Sequence, residues 1–397
     1  MSFIMTITIL FLIMYLPRVV GWFAWLKPQK ALKSDKLRRF ALIVPARDEG
    51  RAVLPLFASI RGQSYPEELF DTYVVVKNPK DEVIGYAKDI GAHVHVDEEQ
   101  KSKGDCLDYC IRHILASGRK YDGYIIVDAD CRLDADFIMN MNDAMESGAQ
   151  VITGRKLAGN YTCGKAGAVN AVTCLNGLIW SIIDELGNRY KSAAGLTTMP
   201  ITTGILIRGD LIAEWGGWNY RQTLTEDMEL LRDCACKGIK TFHYSHARLY
   251  LEEAPSHADT NRRRTRWMTG MVSADRIYLR ELLRRRGLWA FIDNYYILSL
   301  WIVYIYIGTL SAAVLYFLFT LQFIEALAAF LLIYTAFFAL SVMAVLADWS
   351  NIGLSWVKKL CLMLVHPFFY MEYIFIVGRA VLGIKPKSWE KIGRVQY

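Results

Sequence analysis

A chain of 397 residues that is 53% hydrophobic yet still 21% charged is neither a bare bundle of membrane spans nor an ordinary soluble domain; it has room for one large polar domain with apolar segments around it. The net charge of +7 sits beside the apolar stretches, in "KPQKALKSDKLRR" and "RELLRRR", which points to anionic lipid headgroups, and the sequence carries no nucleic-acid-binding module. The eight cysteines lack the doubled spacing of a zinc site and read as reduced thiols, and the sequon "NYT" at Asn160 reads as a chance match.

Residues 3–26 carry one charge, Arg18, and a helix of that length crosses a ~30 Å hydrocarbon core. No small-residue cleavage site follows, so residues 1–26 are predicted to be a retained transmembrane helix. The lysines and arginines from Lys27 to Arg39 place the next domain on the cytoplasmic side of the cell membrane. Short β-branched runs follow, "RFALIVPARDE", "DTYVVVKNP" and "YDGYIIVDADC", separated by helical patterns such as "GDCLDYCIRHILAS". Strands alternating with helices predict an α/β domain over 27–270, its sheet mostly parallel and covered on both faces, with ligands at the carboxyl ends of the strands. Neither G-x-G-x-x-G nor G-x-x-x-x-G-K-[ST] occurs, which removes most support for dinucleotide oxidoreductases and P-loop ATPases.

Asp128 and Asp130 follow the buried-looking "YIIV". Carboxylates at i and i+2 astride a strand end can hold a hard divalent cation that in turn holds phosphate oxygens. The triplet D-x-D is common by chance; its place at the ligand edge gives it weight. "TEDMELLRDCACKGIK" opens on the adjacent acids Glu226 and Asp227. Either could take the proton of an acceptor hydroxyl as a diphosphate leaves, although Thr225 followed by acids is equally a helix N-cap with favourable first-turn charge. In "NRRRTRWMTG", Arg263 and Arg266 can bind diphosphate oxygens and Trp267 offers a flat face to a sugar ring; the plainer reading is a basic membrane-proximal face.

Further along, "DRIYLRELLRRRGLW" puts Tyr278, Leu279, Leu282 and Leu283 on one helical face and arginines on the others, which suits an amphipathic interfacial helix over 271–292. From Tyr295 to Ala347 the only charge is Glu325, predicting a transmembrane hairpin over 293–348 that turns near Gln322–Glu325. In "LCLMLVHPFFYMEYIFIVGRAVL", His366, Glu372 and Arg379 should face protein or a water-filled path. The segment 349–397 is then either a span or, broken at Pro367, a re-entrant pair. The second is favoured because a span would leave the basic tail outside.

Taken in order, "VPARDE" (44–49), "QSYPEE" (63–68), "SKG" (102–104), "DAD" (128–130), "TTG" (202–204), "GGW" (216–218), "TED" (225–227), "EEAP" (252–255) and "RRTRW" (263–267) resemble the family 2 membrane glycosyltransferases, the group of cellulose, chitin and hyaluronan synthases. The likeness covers nearly the whole chain, and order together with spacing makes it specific. It implies a cytosolic GT-A type domain with a Rossmann-like mixed sheet, flanked by transmembrane and interfacial helices. Pro45, Ala46, Arg47 and Glu49 would cradle the uridine of a UDP-sugar. Asp128 and Asp130 would engage its diphosphate with Mg or Mn, with Lys103, Arg263 and Arg266 also on the donor side. Asp227 would be the general base of an inverting transfer, and Glu226 and Trp267 would meet the acceptor.

Two departures qualify the likeness. Family members carry an aspartate after the second strand where this chain has Lys77, so Asn78 or Asp81 would take part of that role. The final box, Q-x-x-R-W in the family, begins here with Arg263, which is similar to the ceramide glucosyltransferases. Those also have one N-terminal anchor and add a single sugar to a lipid. The tail "SWEKIGR" (388–394) resembles the ends of both groups. The expected function is metal-dependent transfer from a UDP-sugar to a growing polysaccharide that is passed outward, as in capsule or cell-wall synthesis; the alternative is one transfer to a membrane lipid acceptor. A nucleotide-sugar sensor is disfavoured, because it would need no base.

Overall fold

The alternation of side chains along the first strands decides the layering. The structure, a computed structural model, describes residues 2–162 and 169–384. Its strands are β1 (Phe40–Pro45), β2 (Phe70–Val76), β3 (His93–Val96), β4 (Gly123–Ile126), β5 (Cys131–Leu133), β6 (Val151–Ala158), β7 (Ile205–Arg208) and β8 (Thr241–Leu251). Phe40, Leu42, Val44, Val74, Val76 and Ile125 join one apolar layer. Their alternates Ala41, Ile43, Tyr73, Val75, Tyr124 and Ile126 join the opposite one. Strands buried on both faces require helices on both sides of the sheet. The order is β3-β2-β1-β4-β7-β6-β8-β5. β3, β2, β1 and β4 run parallel, β7 is antiparallel to both its neighbours, and β5 is antiparallel to β8. The three strand runs predicted from sequence are β1, β2 and β4, and the antiparallel insertions make the sheet mixed.

Among the described residues, four helices are long and apolar enough to cross a membrane: Phe3–Leu26, Leu288–Phe319, Phe323–Ala347 and Trp356–Val381. The hairpin turn falls at residues 320–322. The last helix runs unbroken through Pro367, so the break expected there is not present; Pro367 is buried, and neighbouring helices tolerate a proline by shielding the freed backbone groups. His366 is fully buried against Ser341 Oγ (2.7 Å), and Glu372 accepts hydrogen bonds from Arg264 (2.9 Å) and His257 (2.7 Å), whereas Arg379 is exposed. Residues 271–284 continue the helix that carries the "RRTRW" box, His257–Arg284. On it Leu282 turns inward, while Ile277, Leu279 and Leu283, and Leu288 and Trp289 at the start of the next helix, are exposed among Arg276, Arg280, Arg284 and Arg286. The tail "SWEKIGR" lies outside the described residues. Asn160 is buried, with its Oδ1 accepting the Glu253 N–H (2.8 Å), which leaves the sequon no room for a glycan. The cysteines are free among the described residues.

A buried ionic network joins the sheet to the spans. Arg155 of β6 meets Glu185 (3.2 Å) and Asp348, which follows the third span, and Arg189 bonds the other Glu185 oxygen (2.6 Å). Removing one member of a buried pair costs roughly 3–5 kcal/mol, because its partner is left charged and dry. Asp348→Ala is therefore expected to lower the Tm of the detergent-solubilised protein sharply. Arg208→Ala, which removes the exposed pair with Asp210, should leave it close to wild type.

Candidate active site

β4 ends at Ile126, Val127 is buried, and the chain turns so that Asp128 and Asp130 stand at the carboxyl edge of the sheet. The turn is pinned by the Asp128 N–H donating to Thr203 Oγ1 (3.1 Å) and the Cys131 N–H to the Asp128 carbonyl (3.2 Å). Lys103 opens the helix Lys103–Ala116, whose N-terminus is closed by reciprocal Ser102–Asp105 bonds. Its ammonium donates to the Asp128 carboxylate and to Thr202 Oγ1 (2.8 Å) and lies 3.4 Å from Glu226 Oε1. Thr202 Oγ1 in turn donates to Glu226 Oε1 (2.8 Å). Thus "SKG", "DAD", "TTG" and "TED" converge on one lysine. Burial works against its charge, but Asp128 and Glu226 outweigh burial and hold Lys103 above the ordinary lysine value.

Glu226 and Asp227 begin the helix Glu226–Lys237. Thr225 occupies the N-cap position with extended backbone, but its side chain makes no capping bond. Asp227 Oδ1 accepts the N–H of Met228 (2.9 Å). Burial first, and the charge of Glu226 second, push Asp227 up to about 7 against the opposing Lys103, Met228 N–H and Arg266. A carboxylate in that range matches the demands of a general base near neutral pH. Glu226 is committed to Thr202 and Lys103, so of the two acids Asp227 is the one available to a substrate proton.

Arg263, Arg266 and Trp267 lie at i, i+3 and i+4 on the helix His257–Arg284 and share a face. Arg263 donates to Glu253 Oε2 (3.1 Å), with its guanidinium 4.7 Å from the Trp267 ring centroid and 5.8 Å from that of Trp180. Buried Glu253 also accepts from Trp180 Nε1 (2.6 Å) and Asn176, and burial raises its pKa against Arg263. Arg263 is therefore a strut that sets Trp267, a role its place in the box did not reveal. Arg266 differs: its Nε is buried without a hydrogen-bond partner among the described residues, and burial lowers its pKa against the pull of Glu226. A guanidinium left in that state is suited to an incoming diphosphate.

The acid helix and the arginine helix meet where a Cβ on Gly270 would overlap Thr225 Oγ1. Gly270→Ala is expected to push Thr225, and with it Asp227, off the arginine helix. A misplacement near 1 Å costs about 10²-fold in rate, and kcat should fall on that order in protein whose circular dichroism is unchanged.

One cavity of about 420 Å³ is lined by every residue named as a site candidate from sequence except Ala46, Asn78 and Asp81. Ala46 is fully buried, continuing the Phe40, Leu42, Val44 layer, with its N–H on the Val75 carbonyl (2.8 Å); it cannot touch a ligand through its side chain. Asn78 lies in a neighbouring shallow depression with Asp48, Glu49 and Asp81. Lys77 donates to the Gln100 carbonyl (3.0 Å). Beyond Trp267 the same cavity passes between the apolar helices, where Ile183, Leu186, Val303, Phe337 and Leu340 line it together with Arg18 and Lys191. Neither cation was singled out as a site residue; the signal available for Arg18 is its position as the lone charge of a span.

Asp128 and Asp130 present the hard carboxylate oxygens that Mg or Mn prefers. No group of three or more His, Cys, Asp or Glu side chains able to hold a metal occurs among the described residues. The two carboxylates by themselves fit an ion that takes the rest of its shell from substrate phosphate oxygens and water.

A mixed open sheet with an acid pair at its ligand edge, a half-buried acid at a helix start and an arginine-tryptophan helix lining the cavity defines a GT-A glycosyltransferase. A family model described as Glycosyl transferase family group 2 matches residues 124–343, more than half of the chain, and the chain belongs to that family. No curated protein matches it. Among solved structures it is similar to the mannosyltransferase PcManGT from Pyrobaculum calidifontis in complex with GDP-Man and Mn²⁺, at 16% identity and a TM-score of 0.62 over 97% of this chain and 99% of that one. At that identity the likeness is one of fold. S. aureus TarS 1–349 in complex with UDP-GlcNAc is similar at 12% identity and a TM-score of 0.44, over 89% of this chain and 94% of that one.

Proposed function

We propose that this protein is an inverting, metal-dependent membrane glycosyltransferase that moves a sugar from a nucleoside-diphosphate sugar to a hydroxyl of a lipid-borne acceptor. The observation that carries this reading is the continuity of the cavity: Asp128 and Asp227 line the same space as Leu186, Phe337 and Leu340 among the apolar helices. A UDP-sugar is the expected donor from the "VPARDE" loop, and PcManGT in its solved complex holds GDP-Man; Lys77 leaves the base open. The basic stretch from Lys27 to Arg39 supports a catalytic domain on the cytoplasmic face of the cell membrane.

In this reading Asp227 takes the acceptor hydroxyl proton as that oxygen attacks the anomeric carbon. The bond from the anomeric carbon to the diphosphate oxygen breaks on the opposite side, and configuration inverts. Arg266 and Lys103 hold the departing diphosphate, and Trp267, fixed by Arg263, supports the acceptor sugar. Mg or Mn held by Asp128 and Asp130 would supply neutralising charge to the diphosphate. Polysaccharide extension is the second reading, supported by the aromatic lining of Trp180, Trp267, Tyr304 and Tyr373, which suits sugar rings.

The test is nucleoside-diphosphate release by purified protein in detergent with lipid extract, Mn²⁺ or Mg²⁺ and a panel of UDP- and GDP-sugars. The product is sized and partitioned into butanol, with Asp227→Asn in parallel. A butanol-soluble product carrying one added sugar is expected. A long water-soluble product would move the assignment to the second reading, and transfer undiminished in Asp227→Asn would remove the base.

A further inference from the structure

We infer that the membrane end of the cavity is a phosphate site, in which Arg18 and Lys191 receive a phosphate ester joining the acceptor's sugar to its lipid chain. This rests on the lipid-acceptor reading and names the acceptor's class: a saccharide linked through phosphate to a long apolar chain.

Arg18 sits within the first span, yet its guanidinium is turned into protein, donating to Ser299 Oγ (2.6 Å) and the Tyr296 carbonyl (3.2 Å). Both partners are neutral. Lys191, on the short helix Arg189–Ala194, is 5% exposed, and its ammonium has no hydrogen bond or ion pair among the described residues. The nearby carboxylates are already engaged. Asp293 accepts the Thr197 N–H and Oγ1 (2.8 Å each) and faces Arg285 (3.0 Å). Glu185 is held by Arg189 and Arg155.

The two cations are brought to one wall by close packing. A Cβ on Gly21 would lie 2.8 Å from the Tyr190 ring, so the end of the first span is pressed against the helix that carries Lys191. The Tyr190 hydroxyl is buried there without a partner among the described residues. Two unneutralised cations in an enclosure that excludes much of the water repel each other and lack hydration, and such an arrangement is costly until an anion enters. Burial, and then Arg18, push Lys191 down to about 7, which a bound anion would reverse.

The chemistry of the anion follows from the rest of the lining. Toward the sheet, the cavity reaches Asp227 and Trp267, where a sugar hydroxyl belongs. The lining that holds the two cations also includes Leu186, Phe337 and Leu340, which suit a hydrocarbon chain. A neutral glycolipid would leave both cations unpaired, and a free sugar phosphate would leave the apolar lining unfilled. A saccharide, a phosphate and a chain on one molecule match the polar, cationic and apolar residues of one continuous lining.

The experiment uses the full-length protein in nanodiscs and two synthetic acceptors carrying the same saccharide, one on a polyprenyl phosphate and one on the corresponding polyprenol. Inorganic phosphate and phosphatidylglycerol are added as competitors. The phosphate-linked acceptor is expected to be preferred in kcat/KM by about 10²-fold, as for two charge-assisted contacts. Lys191→Met should collapse that preference toward one through KM, and Lys191→Arg should restore it, which a folding defect would not do. Arg18→Gln should act in the same direction. Equal use of both acceptors, or an unaltered preference in Lys191→Met, would overturn the phosphate site while leaving the lipid reading in place. Full competition by phosphatidylglycerol or by inorganic phosphate at matched concentration would overturn it too, assigning the cations to a bulk headgroup or to the free ion. If neither lipid is glycosylated and a free sugar chain is extended instead, the lipid reading itself fails.

Discussion

Replacing Asp227 with asparagine is expected to reduce kcat by about 10²–10⁴-fold, the range in which a positioned base contributes, with the donor KM near wild type. Asparagine keeps the shape and the bond to the Met228 N–H but cannot take a proton. The pH profile makes the assignment specific. Asp227 acts when deprotonated and is pushed up to about 7 by burial and Glu226. The acid limb of kcat/KM in the free enzyme should therefore fall as pH drops through about 7, far above an ordinary aspartate. Glu226→Gln keeps an oxygen for the Thr202 hydroxyl but removes the neighbouring negative charge, so its limb should move to lower pH. Lys103→Met removes an opposing positive charge and should move the limb upward, with weakened donor binding as well. A limb that stays in place in both variants would show that another group supplies the base.

The parts of this molecule legible in its sequence are those whose determinants are local. β1, β2 and β4 were readable because β-branched runs buried on both faces announce themselves residue by residue. β6 was not: "VITGRKLA" carries Arg155 and Lys156, both buried, and their partners Asp184, Glu185 and Asp348 lie in other elements. Its polar pattern carries no local sign of burial, because the neutralising acids are distant in sequence. β8, "TFHYSHARLYL", was hidden in the same way, with His243 fully buried beneath its polar neighbours.

The site divides along the same line. "DAD", "TED" and Trp267, which line one cavity, stand out in the sequence because each motif is contiguous. Lys103 beside Asp128 and Glu226, and Arg263 on Glu253, depend on pairings that only the folded chain creates. Ala46 illustrates the reverse error. Reading the whole "VPARDE" loop as ligand-facing ignored the period of two along β1, which already pointed residue 46 inward with Val44. Pro367 was weighed by its helix-breaking tendency in water, whereas the surrounding spans shield the backbone it frees.

Arg266→Met is expected to lower kcat/KM for the donor by about 10²–10³-fold, the cost of deleting one preorganised donor to developing negative charge, while Tm changes little. Its Nε has no hydrogen-bond partner among the described residues, so the substitution breaks no bond there, and a methionine fills much of the same volume. Arg266→Lys should recover only part of the loss, because an ammonium cannot offer the planar paired donors of a guanidinium to a diphosphate. Arg263→Met should behave oppositely although it is three positions away on the same face. It leaves Glu253 buried and without its cation, so Tm should fall first, and the kinetic defect should appear in the acceptor KM as Trp267 loses its support. Donor KM and acceptor KM measured on the two variants therefore separate a residue that grips the leaving group from one that positions a platform. If Arg266→Met raised only the acceptor KM, the diphosphate would have to be held elsewhere, and Lys103, already beside Asp128, would be the cation left to hold it.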